Sequence, residues 1–432
     1  MARSDNTAAG AQPDAPRTLL PAICCTAFVV FAQTFMVAPL IPHLSVVFAS
    51  PITWVALAIP AYIVPQGLMT LFAGPLSDRL GRREVIYASL LLFTVITATT
   101  ATAQRVGVFI AWRIAAGVAA AGVVPICLTL IGDVIPFERR GRAVGWMFGS
   151  IAGGMATGAA VGALLVPVIG WHGLFLIVAA LSAAVILFAL VTGAFPHLAL
   201  PAVPSPWRIV ARGYATLLSQ ARARRTYGYV LLNAVLQSGV FTWFGVYLHR
   251  RFGLGEAGIG LALLGYGIPG LLFGPAIGWL ADRYGRSWII PGGVALTGVC
   301  ALLLALPLEL VATQIAIILL SLGFDLTHPQ LAAISTNLRG PRGQAVALMA
   351  FSLFVGFGLG SLLFQAALIL GFPGAFSLFG AVALVAAGIA LVLFREERPT
   401  HAVLPSRLGG SIIERHHSPS MRNPTQKKEN ET

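Results

Sequence analysis

Twelve apolar runs, most of them at least 20 residues long, dominate the chain. A helix needs about 20 apolar residues to cross the hydrocarbon core of a bilayer, whereas a membrane barrel would show short alternating strands. The chain is 57% hydrophobic and 10% charged, while soluble domains carry about 25% charged residues. The sequence therefore predicts an all-α membrane protein with twelve transmembrane helices. The runs are Thr18–Pro42, Pro51–Leu76, Val85–Ala103, Val106–Gly132, Ala143–Ile169, Leu174–Phe195, Tyr227–His249, Leu254–Leu280, Trp288–Leu308, Leu310–Thr336, Ala345–Leu370 and Gly374–Phe394.

The basic residues indicate how the chain is oriented. With a cytoplasmic N-terminus, only Arg105, Arg250 and Arg251 of the 28 lysines and arginines fall on the outer side, and Arg113 falls inside a run. Cytoplasmic loops of membrane proteins are enriched in such residues, so both termini are expected in the cytoplasm, at a bacterial inner membrane. Topology thus explains the net charge of +13, and no nucleic-acid partner is expected. The four cysteines lack metal-ligand spacing, so no metal is expected.

The two halves of the chain repeat each other. When Tyr62–Arg82 is compared with Tyr266–Arg286, at an offset of 204 residues, nine of 21 positions are identical. Six helices therefore recur in the same orientation, a pattern found in secondary transporters whose substrate site lies between the repeats. The predicted fold is two pseudo-symmetric six-helix bundles. The expected organisation is a cytoplasmic N-tail at 1–17, a bundle at 18–195, a cytoplasmic linker at 196–226, a second bundle at 227–394 and a disordered cytoplasmic C-tail at 395–432.

The loops between helices carry motifs in a fixed order. "GPLSDRLGRR" (74–83) lies between the second and third runs, and "GWLADRYGR" (278–286) is its second copy. "WRIAAG" (112–117) and "PFERRGRA" (136–143) follow. The ordered set resembles the major facilitator superfamily, and the resemblance covers all twelve helices. It implies a transporter, not an enzyme, whose loops gate the cytoplasmic side. The implied gate residues are Gly74, Asp78, Arg79, Gly81, Arg82, Arg83, Gly278, Asp282, Arg283, Gly285 and Arg286.

One acid and one arginine lie within the predicted membrane core, where a charge costs at least about 2–3 kcal/mol and indicates function. Asp325 is the one acid of 15 inside a run, and His328 follows three residues later on the same helix face. A buried carboxyl next to a histidine suits proton loading near neutral pH. Arg113 is the one base, and the family resemblance implies that it takes part in proton coupling. Alternatively, Asp325 only packs, and Arg113 only bridges to the first helix.

The central path is expected along helices one, four, seven and ten. On the first and seventh helices, Gln33, Asn233 and Gln237 are candidate hydrogen-bonding contacts, and Phe35 and Phe241 are candidate walls. This combination suits a small amphipathic solute.

The fifth helix carries Gly154, Gly158 and Gly162, at the spacing that the family's exporters share. Small residues in register allow close helix packing. We therefore expect a monomeric carrier, in contact with membrane lipid, that exports a small solute in exchange for protons. The proton gradient would be its energy source and no cofactor is expected. Uptake by symport and a transporter-like receptor remain the alternatives.

Overall fold

The computed structural model describes residues 16–198, 206–267, 277, 280 and 283–397, and these residues form helices and connecting turns without a strand. Helices are expected because hydrocarbon offers no partner to a backbone N–H or C=O, and a helix pairs both internally. The helices of the first half are α1 (Leu19–Phe35), α2 (Ile41–Val47), α3 (Ile52–Ala56), α4 (Ala58–Leu80), α5 (Arg82–Thr100), α6 (Val106–Ala120), α7 (Val123–Val134) and α8 (Phe137–Val191). The later helices are α9 (Trp207–Ser219), α10 (Ala221–Phe252), α11 (Glu256–Leu263), α12 (Arg286–Leu304), α13 (Leu310–Thr336), α14 (Arg342–Ala367) and α15 (Gly371–Leu393).

Nine stretches of helix among the described residues are long and apolar enough to cross a bilayer. Two of them, Arg142–Val191 with 50 residues and Gly343–Leu393 with 51, are long enough to cross twice. Each turns at a glycine with positive φ, Gly170 (φ 69°) or Gly371 (φ 72°). The apolar helix Glu256–Tyr266 starts the remaining predicted crossing, which continues outside the described residues. The predicted all-α fold is confirmed.

Side-chain contacts define the two ends of the bundle. At the basic end, the Tyr214 hydroxyl of α9 donates to the carbonyl of Leu71 at 2.8 Å, and Arg225 donates to the carbonyl of Leu393. At the opposite end, Phe48 packs on Trp171 with ring centroids 5.4 Å apart. These contacts define the basic end and the opposite end of the bundle.

The two halves are in close contact at the opposite end. A Cβ placed on Gly245 of α10 would lie 3.2 Å from the Cα of Pro39, and one on Gly260 of α11 would lie 2.8 Å from the carbonyl oxygen of Ala160. Backbones therefore meet directly across the boundary between the halves, and this end is closed.

The predicted linker contains a helix. In α9, Val210 and Leu217 are buried while Arg208 and Arg212 are exposed, so its apolar side faces the bundle. The next helix, α10, already begins at Ala221, inside the range expected for the linker.

Candidate functional site

The first loop motif lies where α4 meets α5 at the basic end. Gly81 takes φ 99°, a backbone conformation that glycine adopts without strain, and its N–H donates to the carbonyl of Ser77 at 3.0 Å. Arg82 then begins α5 and forms ion pairs with Asp78, at 3.6 Å between Nη2 and Oδ1, and with Asp133 in the last turn of α7. The ion pairs of Arg82 thus connect α4, α5 and α7.

The remaining arginines of this motif contact aromatic rings. The guanidinium carbon of Arg79 lies 4.8 Å from the ring centre of Trp207, and that of Arg83 lies 5.6 Å from the ring of Tyr87. Trp207 opens α9, so the loop motif also contacts the helix in the linker. Gly74 has open space around its Cα, since an added Cβ would meet nothing within 4 Å.

The second copy of the motif is described in part. Gly285 has φ 81° and precedes Arg286, which begins α12, just as Gly81 precedes Arg82. Arg283 lies over the ring of Tyr284 at 5.8 Å. Gly278 and Asp282 lie outside the described residues.

Arg113 is completely buried on α6 and finds its acceptors on α1 and α4. Its Nη1 donates to Oε1 of Gln33 at 2.9 Å, and its Nε donates to the carbonyl of Ala58 at 3.1 Å. Its Nη2 donates to the carbonyl of Thr34 at 3.4 Å, and the guanidinium lies 4.2 Å from the ring centre of Tyr62. Dipoles and a π face therefore surround this charge and connect three helices. Gln33, expected as a substrate contact, serves here as the acceptor for Arg113.

Asp325 lies on α13 beside a polar cluster from two other helices. Its carboxyl is close enough to the Tyr266 hydroxyl for an electrostatic interaction, and that hydroxyl accepts a hydrogen bond from the Gln237 amide. Ser321, one turn earlier on α13, donates to the carbonyl of Tyr266 at 2.5 Å. The structure therefore brings together Gln237, Tyr266 and Asp325.

His328 packs against an aromatic ring of its own helix. Its imidazole stacks on Phe324 with centroids 5.1 Å apart and planes 6° from parallel. Its Nδ1 is buried and has no hydrogen-bond partner in the described part of the chain. The preceding residue, Thr327, accepts a hydrogen bond from Nδ2 of Asn233 at 2.5 Å. Asn233 thus connects α10 to α13 one turn from Gln237.

Aromatic rings fill the boundary between the halves. Phe35 of α1 lies 5.6 Å from Phe241 of α10 and 6.0 Å from Phe357 of α14, both edge to face. Phe241 in turn lies 4.4 Å from Tyr266. The two predicted wall residues thus contact each other across the boundary.

The glycines of the fifth transmembrane helix, the first part of α8, lie against α1. A Cβ on Gly154 would overlap the carbonyl oxygen of Phe28, and one on Gly158 would overlap that of Ala32. A Cβ on Gly162 would lie 3.1 Å from the Cβ of Met36. The two helices therefore pack backbone to backbone along three turns.

Sequence reasoning missed Tyr62 and Tyr266 as site residues, although the repeat contained the signal. The offset of 204 residues that pairs these tyrosines also pairs Gln33 with Gln237. Each half thus places a glutamine from its first helix and a tyrosine from its second next to an ionisable group on its fourth. That group is a guanidinium, Arg113, in one half and a carboxyl, Asp325, in the other.

Comparison with known proteins identifies the family of the chain. The sequence model described as Major Facilitator Superfamily matches residues 23–258 and 247–420. An uncharacterized transporter of this type from Bacillus subtilis, YwfA, is 25% identical over 291 residues, covering 65% of this chain and 68% of the relative. A uridine/deoxyuridine transporter from Lactococcus lactis is 24% identical over 347 residues, covering 66% and 72%.

A solved structure shows the same fold. The human organic anion transporter MFSD10 (TETRAN) superposes with a TM-score of 0.69 at 18% identity, over 87% of this chain and 99% of that one. The sequence relatives are transporters, and this protein is a transporter, not an enzyme. Since the family model matches both halves and the fold is shared with a solved transporter, the chain belongs to the major facilitator superfamily.

Proposed function

We propose that this transporter exports a small amphipathic solute in exchange for protons, with both termini in the cytoplasm of a bacterial inner membrane. The observation that carries the proposal is the position of Asp325. It is a carboxyl within a membrane span, next to hydrogen-bonded groups from two other helices. A group of this kind gains and loses a proton in response to its surroundings.

Proton and solute would be coupled through the Gln237–Tyr266 hydrogen bond. Asp325 is close enough to Tyr266 for an electrostatic interaction, so its protonation would change the surroundings of a hydrogen bond that joins α10 to the next helix. A carrier needs its proton and solute affinities linked through one conformational equilibrium, and this linkage is reciprocal. His328, one helical turn away, would tune the acid. Arg113 would contribute by holding α1, α4 and α6 in place.

The candidate contacts for the solute combine apolar rings with amide groups. Oδ1 of Asn233, Oε1 of Gln237 and Nε2 of Gln33 are buried without hydrogen-bond partners in the described part of the chain. Phe35 and Phe241 are also buried, and they follow Gln33 and Gln237 closely in the sequence. Amide groups that lack partners favour a solute that can supply hydrogen bonds, and the rings favour an apolar body.

Export is supported by Gly154, Gly158 and Gly162, which have the spacing shared by the family's exporters and lie where α8 packs closely on α1. Uptake by symport is the second candidate, since the relatives include a uridine/deoxyuridine transporter from Lactococcus lactis. The sign of the driving gradient separates the two. In proteoliposomes, an antiporter accumulates solute when the interior is acidic, and a symporter does so when the exterior is acidic.

The test uses purified full-length protein and a solute chosen from a panel, including uridine, by its ability to raise the unfolding temperature. Gradient-driven flux is compared for wild type, Asp325→Asn and His328→Ala, with Glu309→Gln, at the start of the same helix, as the matched control. We expect Asp325→Asn to abolish gradient-driven accumulation while retaining solute binding. We expect His328→Ala to shift the pH optimum.

Gradient-driven flux that persists in Asp325→Asn would contradict the proposed coupling. Accumulation only with an acidic exterior would replace export by uptake. Binding without flux under either gradient would favour a receptor.

A further inference from the structure

An ion pair joins the two halves of the transporter at the opposite end. His43 lies on α2 in the first half, and Glu256 is the first residue of α11 in the second. Their Nδ1 and Oε1 atoms are 2.9 Å apart, and the side chains are 27% and 33% exposed. Solvent therefore reaches both groups. The two residues are 213 apart in the chain, so the fold brings them together.

This pair lies within the closed contact between the halves. Gly245 meets Pro39 and Gly260 meets Ala160 on the elements that flank it. Opening this end requires α2 and α11 to move apart, because they belong to different halves and transporters of this class open by movement of one half against the other. The His43–Glu256 contact must break during that movement.

Other charged groups near Glu256 belong mostly to its own half. His249, at the end of α10, is near enough for its charge to act on Glu256, and its Nδ1 contacts the carbonyl of Leu254 at 3.0 Å. Arg250 is exposed, and Arg251 donates to the carbonyl of Leu308 at 2.9 Å. On α8, which packs against α11, the ring of His172 lies tilted against that of Trp171. The elements α3 and Ala38–Leu40, which pack against α2, have no charged residue.

We propose that His43 and Glu256 form a proton-binding latch that holds the opposite end of the transporter shut. When His43 is protonated, its bond to the Glu256 carboxylate is charge-assisted and about twice as strong as a neutral hydrogen bond. When His43 loses the proton, the attraction weakens and the halves separate more easily. Histidine changes its charge between about pH 5 and 8, so the pH on this side of the membrane sets the balance. The latch acts whether the protein exports or imports, and it does not involve Asp325.

The test measures the separation of the halves without measuring transport. Spin labels are placed by Val168→Cys in the first half and Ile369→Cys in the second. Both positions are at the opposite end, and they are 81% and 90% exposed. The native cysteines Cys24, Cys25, Cys127 and Cys300 are replaced by alanine in the full-length protein. Distance distributions are recorded by pulsed electron paramagnetic resonance from pH 5.5 to pH 8.5 in lipid nanodiscs.

We expect the ratio of the long-distance to the short-distance population to rise about two- to fivefold between acid and alkaline pH, the range for a partly exposed ion pair. His43→Gln and Glu256→Gln should each remove this pH dependence. His249→Gln is the matched control, because it removes a histidine from the same end without breaking a contact between the halves, and it should retain the response.

A wild-type distribution that does not change with pH would overturn the proposal, as would an unchanged response in His43→Gln. If His43→Gln does not fold, Glu256→Gln decides by the same criterion. The response should persist in an Asp325→Asn background. Its loss there would assign the pH dependence to Asp325 and refute the latch, while leaving the proposed coupling role of that residue intact.

Discussion

At the scale of single residues, a charged side chain within the membrane needs hydrogen-bond acceptors. Arg113 is completely buried, and a guanidinium without acceptors would be strongly destabilising there. The structure supplies a side-chain amide from Gln33, the carbonyls of Ala58 and Thr34, and the ring of Tyr62. None of these is a carboxylate, so the site stays cationic.

The first prediction concerns Gln33. Gln33→Leu should lower the free energy of unfolding by about 1.5–3 kcal/mol, since it removes the side-chain acceptor of a buried cation. Gln33→Glu should stay close to wild type, because a carboxylate pairs with the same guanidinium. Unfolding in detergent with increasing denaturant measures both. Equal stability of Gln33→Leu and wild type would show that the backbone carbonyls are sufficient.

At the scale of elements, helices approach each other most closely where glycines remove side chains. Gly154 and Gly158 bring α8 against the backbone of α1, and this contact holds the helix that carries Gln33. Gly149, on the same helix, has no neighbour within 4 Å of an added Cβ. The two kinds of glycine on one helix provide a direct comparison.

The second prediction is that Gly158→Ala destabilises the protein by about 1–3 kcal/mol, because its Cβ overlaps the backbone of Ala32 and forces the helices apart. Gly149→Ala should be neutral or stabilising by up to about 1 kcal/mol, because alanine is the better helix former. Thermal unfolding of the purified variants measures the difference. Similar unfolding temperatures for the two variants would contradict the close packing of α1 on α8.

The third prediction concerns Glu397, which fastens the end of the second half to α10. Its carboxylate accepts hydrogen bonds from Arg222 at 2.8 Å and Arg225 at 2.5 Å, and its own carbonyl accepts one from Ser287. Burial raises the pKa of this carboxyl, but the hydrogen bonds and charges of the two arginines outweigh burial and bring the pKa below its usual value. A lowered folded-state pKa means that the carboxylate stabilises the protein above the unfolded-state pKa of about 4.3 and loses this effect as the pH falls.

Glu397→Gln should therefore unfold at a lower temperature than wild type at pH 7. The difference should shrink as the pH falls below about 4.5. Melting curves at pH 7, 5 and 4 for both proteins provide the test. A difference that does not vary with pH would mean that the ion pairs do not contribute to stability.

At the scale of the whole molecule, the duplicated halves and the distribution of charge set the architecture. The loop glycines Gly81 and Gly285 both adopt a positive φ, of 99° and 81°, so the repeat persists in the backbone. The basic loop, α9 and the end of α15 lie at one end of the bundle. This end is the one expected to face the cytoplasm.

The fourth prediction tests that orientation. A fluorescent protein fused after Thr432 should be active, and alkaline phosphatase at the same position should be inactive, because the phosphatase folds only outside the cytoplasm. Phosphatase inserted after Leu308, between α12 and α13, is the matched control and should be active. The reverse pattern would invert the orientation and the side from which protons reach His43.

The sequence by itself determined the helical membrane class, the duplication and the position of the loop motif between the second and third spans, because each can be read from patterns within short segments. Runs of about 20 apolar residues predict crossings without reference to any neighbour. The same locality placed Asp325 and His328 one turn apart on α13.

Only the tertiary structure decided which groups meet. Gln33 and Arg113 are 80 residues apart and His43 and Glu256 are 213 apart, so no spacing within a segment relates them. Packing made Gln33 the acceptor of a buried cation and joined Gln237 to Tyr266. It also closed one end of the bundle between the halves. The physical reason is that the period of a helix defines its faces, whereas the partner of each face depends on how all the helices fill the space between them.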